Sequence, residues 1–303
     1  MTIGTVFFQM LSLAILILVG VVISRVRMVD DHGMGQISRL INYVFNPMMM
    51  VSSAISSVGS IDKQVMLLLF GLAVALYLAL ILIGHFAAPL FDKRPGQKEM
   101  YQLMFIFSNV GFMGIPVIRG VFGAENVVYV LAFVFVFNIV FYTYGVALLD
   151  GGLSKGSLKK MLNPGTISAV VTLFIVLLEP QVPEFLSNVV DYLGSAASPL
   201  AMIAVGVTLA NADLKAVFLN PKMYLFTLVK MVAIPLIAIP LLKLLPFSDT
   251  VIGVCLVEIA MPVANLPLIL GTEKGIDCSS CSASIIMTTL VSVLTVPLLV
   301  ALI

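Results

Sequence analysis

Two stretches of this chain set helix breakers beside neutral hydrogen-bonding side chains in otherwise apolar surroundings. The first reads Phe107-Ser108-Asn109-Val110-Gly111-Phe112-Met113-Gly114-Ile115-Pro116, the second Val257-Glu258-Ile259-Ala260-Met261-Pro262-Val263-Ala264-Asn265-Leu266-Pro267. Proline removes a backbone donor and clashes with the preceding turn, and glycine permits an opened backbone. Each stretch is therefore expected to break its helix, through Gly111, Gly114 and Pro116 in one and Pro262 and Pro267 in the other. A broken helix leaves free N–H groups at one new end and free C=O groups at the other. The N–H end carries partial positive charge and suits an anion. Ser108, Asn109 and Asn265 add side-chain donors at the same level. The competing structural reading is kinks and helix–helix packing. Two charges fall nearby: Glu258, one turn before Pro262, and Lys230 in the preceding apolar segment. A charge at the centre of a membrane helix costs about 2.5–3.5 kcal/mol and marks a functional candidate. Glu258 is a candidate to carry a proton, to bind Na⁺ or to form an ion pair with Lys230; Lys230 could also snorkel to the interface.

The surroundings that position these residues are apolar throughout. Of 303 residues, 61% are hydrophobic and 10% charged, with a mean hydropathy of +1.16. Soluble domains are roughly 25% charged, so the composition excludes a soluble enzyme, a disordered chain and a disulfide scaffold. A spanning helix needs about 20 apolar residues. Ten such segments are read at 4–24, 37–57, 64–86, 101–121, 127–149, 164–182, 190–210, 222–245, 250–271 and 279–302. The sixth is the shortest in apolar residues. The first has no positive n-region and an apolar run too long for a signal peptide. Basic residues concentrate in the loops after segments 1, 3, 5, 7 and 9: Arg25, Arg27, Arg39, Lys93, Arg94, Lys98, Lys155, Lys159, Lys160, Lys215, Lys222 and Lys274. The opposite loops hold Lys63, Arg119 and Lys243. The positive-inside rule then makes the first set cytoplasmic and places both termini outside the plasma membrane.

The breakers repeat at half the chain length. Pro47, in Phe45-Asn46-Pro47, and Pro199, in Ala197-Ser198-Pro199, lie 152 positions apart; Pro116 and Pro267, and Gly120 and Gly271, lie 151 apart. Five segments per half is an odd number, so the second half, 151–303, enters the membrane inverted relative to the first, 1–150. That is an inverted-repeat arrangement, in which paired Gly/Pro-interrupted segments mark the binding site. The fold expected is an all-α membrane protein of ten transmembrane helices, with helices 4 and 9 broken near mid-membrane. Asn46, Pro47, Ser198, Pro199 and Asn138 are secondary site candidates. Asn138, in segment 5, could equally bond a neighbouring helix.

These motifs resemble the auxin efflux carrier family, which includes plant auxin exporters and bacterial malate and malonate permeases. The resemblance rests on Asn109 to Pro116, on Ala260-Met261-Pro262 with Pro267, and on Asn46-Pro47 and Ser198-Pro199. It implies ten spans, a crossing at the prolines, a moving group of helices against a static one, organic-anion export or exchange, and often a homodimer. The central loop, about 150–163, is short, which favours the bacterial organic-acid branch over auxin. Bile-acid sodium symporters, which are related, place an acid before a similar crossing and keep Na⁺ open at Glu258.

The function expected is a secondary carrier of small organic anions, such as dicarboxylates or auxin-like weak acids, with no cofactor beyond coupling to H⁺ or Na⁺. The rivals are a ligand-binding membrane sensor and a channel. Cys278 and Cys281 form a C-x-x-C, but zinc needs four ligands and the third cysteine, Cys255, is in segment 9; two free thiols is the plainer reading. Asp30-Asp31-His32 reads as a helix start rather than a metal cluster. There is no P-loop, catalytic triad or basic tract for nucleic acid.

Overall fold

The computed structural model describes residues 3–59, 63–150, 164–211 and 214–303. Lys155, Lys159 and Lys160, and the boundary at 150/151, touch or lie within the segment outside the described residues. The described chain is helical, with α1 Ile3–Arg25, α2 over 31–56, α3 Lys63–Phe91, α4 Gln97–Ile106, α5 over 110–122, α6 Ala124–Asp150 and α7 Pro164–Leu178. After these come α8 Glu184–Ala210, α9 Leu214–Leu219, α10 Pro221–Lys243, α11 Asp249–Ala260, α12 Leu266–Glu273 and α13 Ser279–Val300. Five of them (α3, α6, α8, α10 and α13) are long and apolar enough to cross a membrane; α7 and the 11–25 part of α1 are shorter apolar helices. The chain is an integral membrane protein.

Local chemistry explains where the helices begin and end. Helix α2 starts at 31, six residues before the expected edge, because the Asp30 carboxylate accepts from Gly33 N at 2.7 Å and caps it. Helix α7 stops at Leu178 rather than 182. Glu179 precedes Pro180, which disfavours helical backbone, and takes a positive φ of 49°. In the loop after α3, the Arg94 guanidinium hydrogen-bonds Asp92 and holds its carboxyl down at about 2. Pro47 and Pro199 do not break their helices. A π-turn over Ile41–Phe45 precedes Pro47, and Pro199 lies within α8.

The helices pack as two groups. Helices α1, α2, α7 and α8 associate with one another, and α3 to α6 with α10 to α13. Close approach in the first group depends on small residues: α1 and α8 touch backbone to backbone at Gly20 and Gly206, where a Cβ on Gly206 would collide with the Ile17 carbonyl and Gly20 Cα. Gly206→Ala is therefore expected to cost about 1–3 kcal/mol. It should lower the thermal unfolding midpoint of the purified protein in detergent by several degrees. An unchanged midpoint would show that the pair can separate freely.

Candidate binding site at the meeting of two broken helices

Both expected breaks form, and they bond to each other. Helix α4 ends at Ile106 and α5 begins at Val110; α11 ends at Ala260 and α12 begins at Leu266. Between them the two extended segments pair antiparallel at Ser108 and Val263. Asn109 N donates to Pro262 O at 2.7 Å, and Ala264 N donates to Phe107 O at 3.0 Å. Val263 N donates to Thr288 Oγ1 on α13 at 3.2 Å. Lipid offers no partners for opened backbone, so this short ladder satisfies groups that each break would orphan. Pro116 and Pro267 sit just past the breaks, whereas Pro262 lies within the second one, where its carbonyl accepts from Asn109 N. Pro116 and Pro267 occupy the first turns of α helices, where a missing N–H is harmless.

A cavity of about 420 Å³ lies against this crossing, between the two helix groups. The second group supplies Ser108, Asn109, Val110 and Gly111 from one break, Ala264, Asn265 and Leu266 from the other, and Asn138 and Tyr142 from α6. The first residues of α5 and α12 thus both line the cavity, so two helix N-termini converge there, with Val110 N itself donating to Ser108 O at 2.8 Å. Ser38, Asn42 and Asn46 line the opposite wall at helical spacing along α2, with Ser168 from α7 and Thr208 from α8. Among the described residues no ionised side chain lines the cavity. A Cβ at Gly111 would meet open space, which marks that backbone as an open part of the wall.

Of the residues singled out in the sequence, Ser108, Asn109, Gly111, Asn265, Asn46, Pro47 and Asn138 come together around this cavity. Gly114, Pro116, Pro262, Pro267, Ser198, Pro199, Glu258 and Lys230 do not line it. Asn138 Nδ2 donates to Val134 O, one turn back in its own helix, at 2.8 Å. Ser198 Oγ meets Met49 Sδ at 3.6 Å, a contact between α8 and α2. The wall formed by Ser38, Asn42, Ser168 and Thr208 escaped the sequence reading. The signal was present in α2, where Ser38, Asn42 and Asn46 recur every fourth residue in an apolar segment.

The two membrane charges are separate. Lys230 and Glu258 form no ion pair. Lys230 is fully buried, and its Nζ donates to Phe105 O at 2.7 Å and to Ser108 Oγ at 2.8 Å. Phe105 O is one of the carbonyls that the break in α4 leaves without a helical partner, since Asn109 N turns to Pro262. Lys230 thus caps the broken end and holds Ser108, so snorkelling to the interface is ruled out. Glu258 is 2% exposed, and neither carboxylate oxygen has a hydrogen-bond partner among the described residues. It packs on the far side of the same break, against α5: a Cβ on Gly114 would fall 2.5 Å from Glu258 Oε1. Gly114 is therefore a contact for Glu258 rather than part of the cavity wall. Cys255, Cys278 and Cys281 are free thiols. Among the described residues no group of three His, Cys, Asp or Glu side chains could hold a metal ion.

Comparison with known proteins finds similarity to membrane transport proteins. Residues 5–157 and 153–300 match the membrane transport protein family. An uncharacterised transporter of Methanocaldococcus jannaschii is 30% identical over 226 residues, 72% of this chain and 71% of the relative. An uncharacterised transporter of Methanothermobacter thermautotrophicus is 29% identical over 195 residues, 63% of each chain. A Rhizobium meliloti protein provisionally named a malonate transporter is 28% identical over 225 residues, 70% of this chain and 69% of the relative.

Proposed function

Since the chain belongs to the membrane transport protein family, auxin efflux carrier-like, and is a transporter rather than an enzyme, we propose that it is a secondary carrier of small organic anions. One observation carries this reading: two helix N-termini and several neutral amide and hydroxyl side chains converge on one cavity between two helix groups. Helix N-termini bind carboxylates through free N–H groups and aligned dipoles. A cavity of this size falls in the range of small-molecule sites. The provisional name of the Rhizobium relative supports dicarboxylates as the substrate class.

In this reading the chain crosses the plasma membrane ten times, as inverted halves 1–150 and 151–303, with both termini outside. The two family matches meet at residues 153–157, next to that boundary, which supports the division. Substrate binds at Ser108, Asn109, Asn265 and the N-terminal ends of α5 and α12. Asn46 and Asn138 complete the polar wall. Alternating access follows from rocking the group that carries the breaks against α1, α2, α7 and α8. Glu258 couples transport to H⁺ or Na⁺. A buried carboxylate without a partner is costly, and a proton or cation bound there removes that cost in one state of the cycle.

Uptake by proteoliposomes of a panel of labelled mono- and dicarboxylates, under separate pH and Na⁺ gradients, tests the proposal. A saturable flux with counterflow is expected for at least one acid. Continuous conductance would indicate a channel, and binding without flux a sensor. Glu258→Gln is expected to abolish acceleration by the coupling gradient. If this variant keeps the wild-type pH and Na⁺ dependence, Glu258 does not couple.

A further inference from the structure

The cavity reaches one end of the molecule. Its lining includes Ser38, Pro164 and Thr208, which lie near the ends of α2, α7 and α8 beside the basic loops, and the exposed Asn42. At the opposite end the two helix groups are tied by polar links. Arg119 on α5 pairs with Asp191 on α8 at 3.5 Å, and Ser52 Oγ on α2 donates to the same carboxylate at 2.9 Å. Lys63, at the start of α3, pairs with Glu179 after α7 at 2.9 Å and donates to Leu177 O at 3.1 Å. Ser53 Oγ on α2 donates to Ala124 O, at the start of α6, at 2.7 Å. Among the described residues the ion pairs at the basic-loop end, Arg94–Asp92, Lys98–Glu99 and Lys274–Asp150, each lie within one helix group.

We infer that Arg119–Asp191, oriented by Ser52, and Lys63–Glu179 form a latch that closes the two helix groups on the side away from the basic loops. The structure is then the state open toward the basic loops, and the latch must part before the cavity reaches the other side. The chemistry suits a reversible closure. All four side chains are partly exposed, so water can take over both partners when they separate. Pairs of this kind bias an equilibrium by about two- to fivefold each, enough to tilt it without locking it. Ser52 is 6% exposed and lies inside the group that moves away from Arg119, so Asp191 stays held when the pair opens.

The latch rests on the carrier reading, because it presumes that the cavity exchanges sides. Labelling separates the two, since it needs no substrate. A single cysteine is placed at Gly111 (Gly111→Cys) with Cys255, Cys278 and Cys281 changed to alanine, and a membrane-impermeant maleimide is applied to intact cells and to inside-out vesicles. With the latch intact, rapid labelling is expected from the basic-loop side alone. Adding Lys63→Glu and Arg119→Glu together should raise labelling from the other side at least fivefold. Adding Glu179→Lys and Asp191→Arg to that variant, which swaps both pairs, should lower it again. No rise in the folded charge-reversed protein, or no reversal in the swap, overturns the latch. Should the reversed protein not fold, ionic strength decides. Raising salt from about 0.01 to 1 M screens exposed pairs and should speed labelling from the latched side without any latch mutation; an unchanged rate overturns the proposal.

Discussion

Asn109→Ala is expected to weaken uptake of the transported organic anion by tenfold or more, read as a raised KM in proteoliposomes, with little change in stability. Asn109 lies at the cavity wall where the two breaks meet, and is 7% exposed. A hydrogen bond to a charged group contributes roughly 1.5–3 kcal/mol, which is about ten- to a hundredfold in affinity. The link that holds the crossing is made by the Asn109 backbone, N to Pro262 O, and alanine retains it. The loss should therefore fall on binding rather than on folding. The purified variant should keep its size-exclusion profile and thermal midpoint. If it takes up substrate with wild-type affinity, the cavity at the crossing is not the binding site.

The second large effect is expected at Lys230, which touches no part of the cavity wall except through Ser108. Lys230→Met removes both bonds of Nζ, leaving Phe105 O without its cap and Ser108 Oγ without its fixed donor. An unsatisfied buried carbonyl costs roughly 1–3 kcal/mol. Removing a buried lysine returns a desolvation cost of similar size, and methionine fills much of the same volume. Global stability should therefore change little. The cost falls on the conformation of the break, which exposes that carbonyl. Transport should drop by roughly five- to a hundredfold while the thermal midpoint moves by only a few degrees. Lys230→Ala should lose both, because it also opens a void. Wild-type transport by the methionine variant would show that the break holds its shape without the cap.

Much of the site was legible in the sequence because its chemistry is local. Proline and glycine act on their own turn, so the breaks near 107–109 and 261–265 follow from Gly111, Pro116, Pro262 and Pro267. Asparagines in an apolar segment need partners, which singled out Asn46, Asn109, Asn138 and Asn265. The membrane charges stood out for the same reason, but their roles did not. Charge type left a pair between Lys230 and Glu258 open beside a proton or Na⁺ at Glu258. Their places depend on which backbone groups the breaks free, and Lys230 reaches a carbonyl 125 residues away. The opposite cavity wall was missed although Ser38, Asn42 and Asn46 carry a regular spacing, because a polar stripe does not say which helix it faces.

The sequence by itself determined that the chain lives in lipid, where its helices run and where two of them must break. Those outcomes depend on burial of apolar side chains and on backbone donors that proline lacks, and both act within a few residues. Only the tertiary structure decided that the breaks pair with each other, that Lys230 caps the first and Glu258 packs on the helix just after it, and that the cavity lies between two groups of helices. Each of these is a contact between residues more than a hundred positions apart. Such contacts form where packing of whole helices brings an unsatisfied group to a partner, and no local property of either residue specifies that meeting.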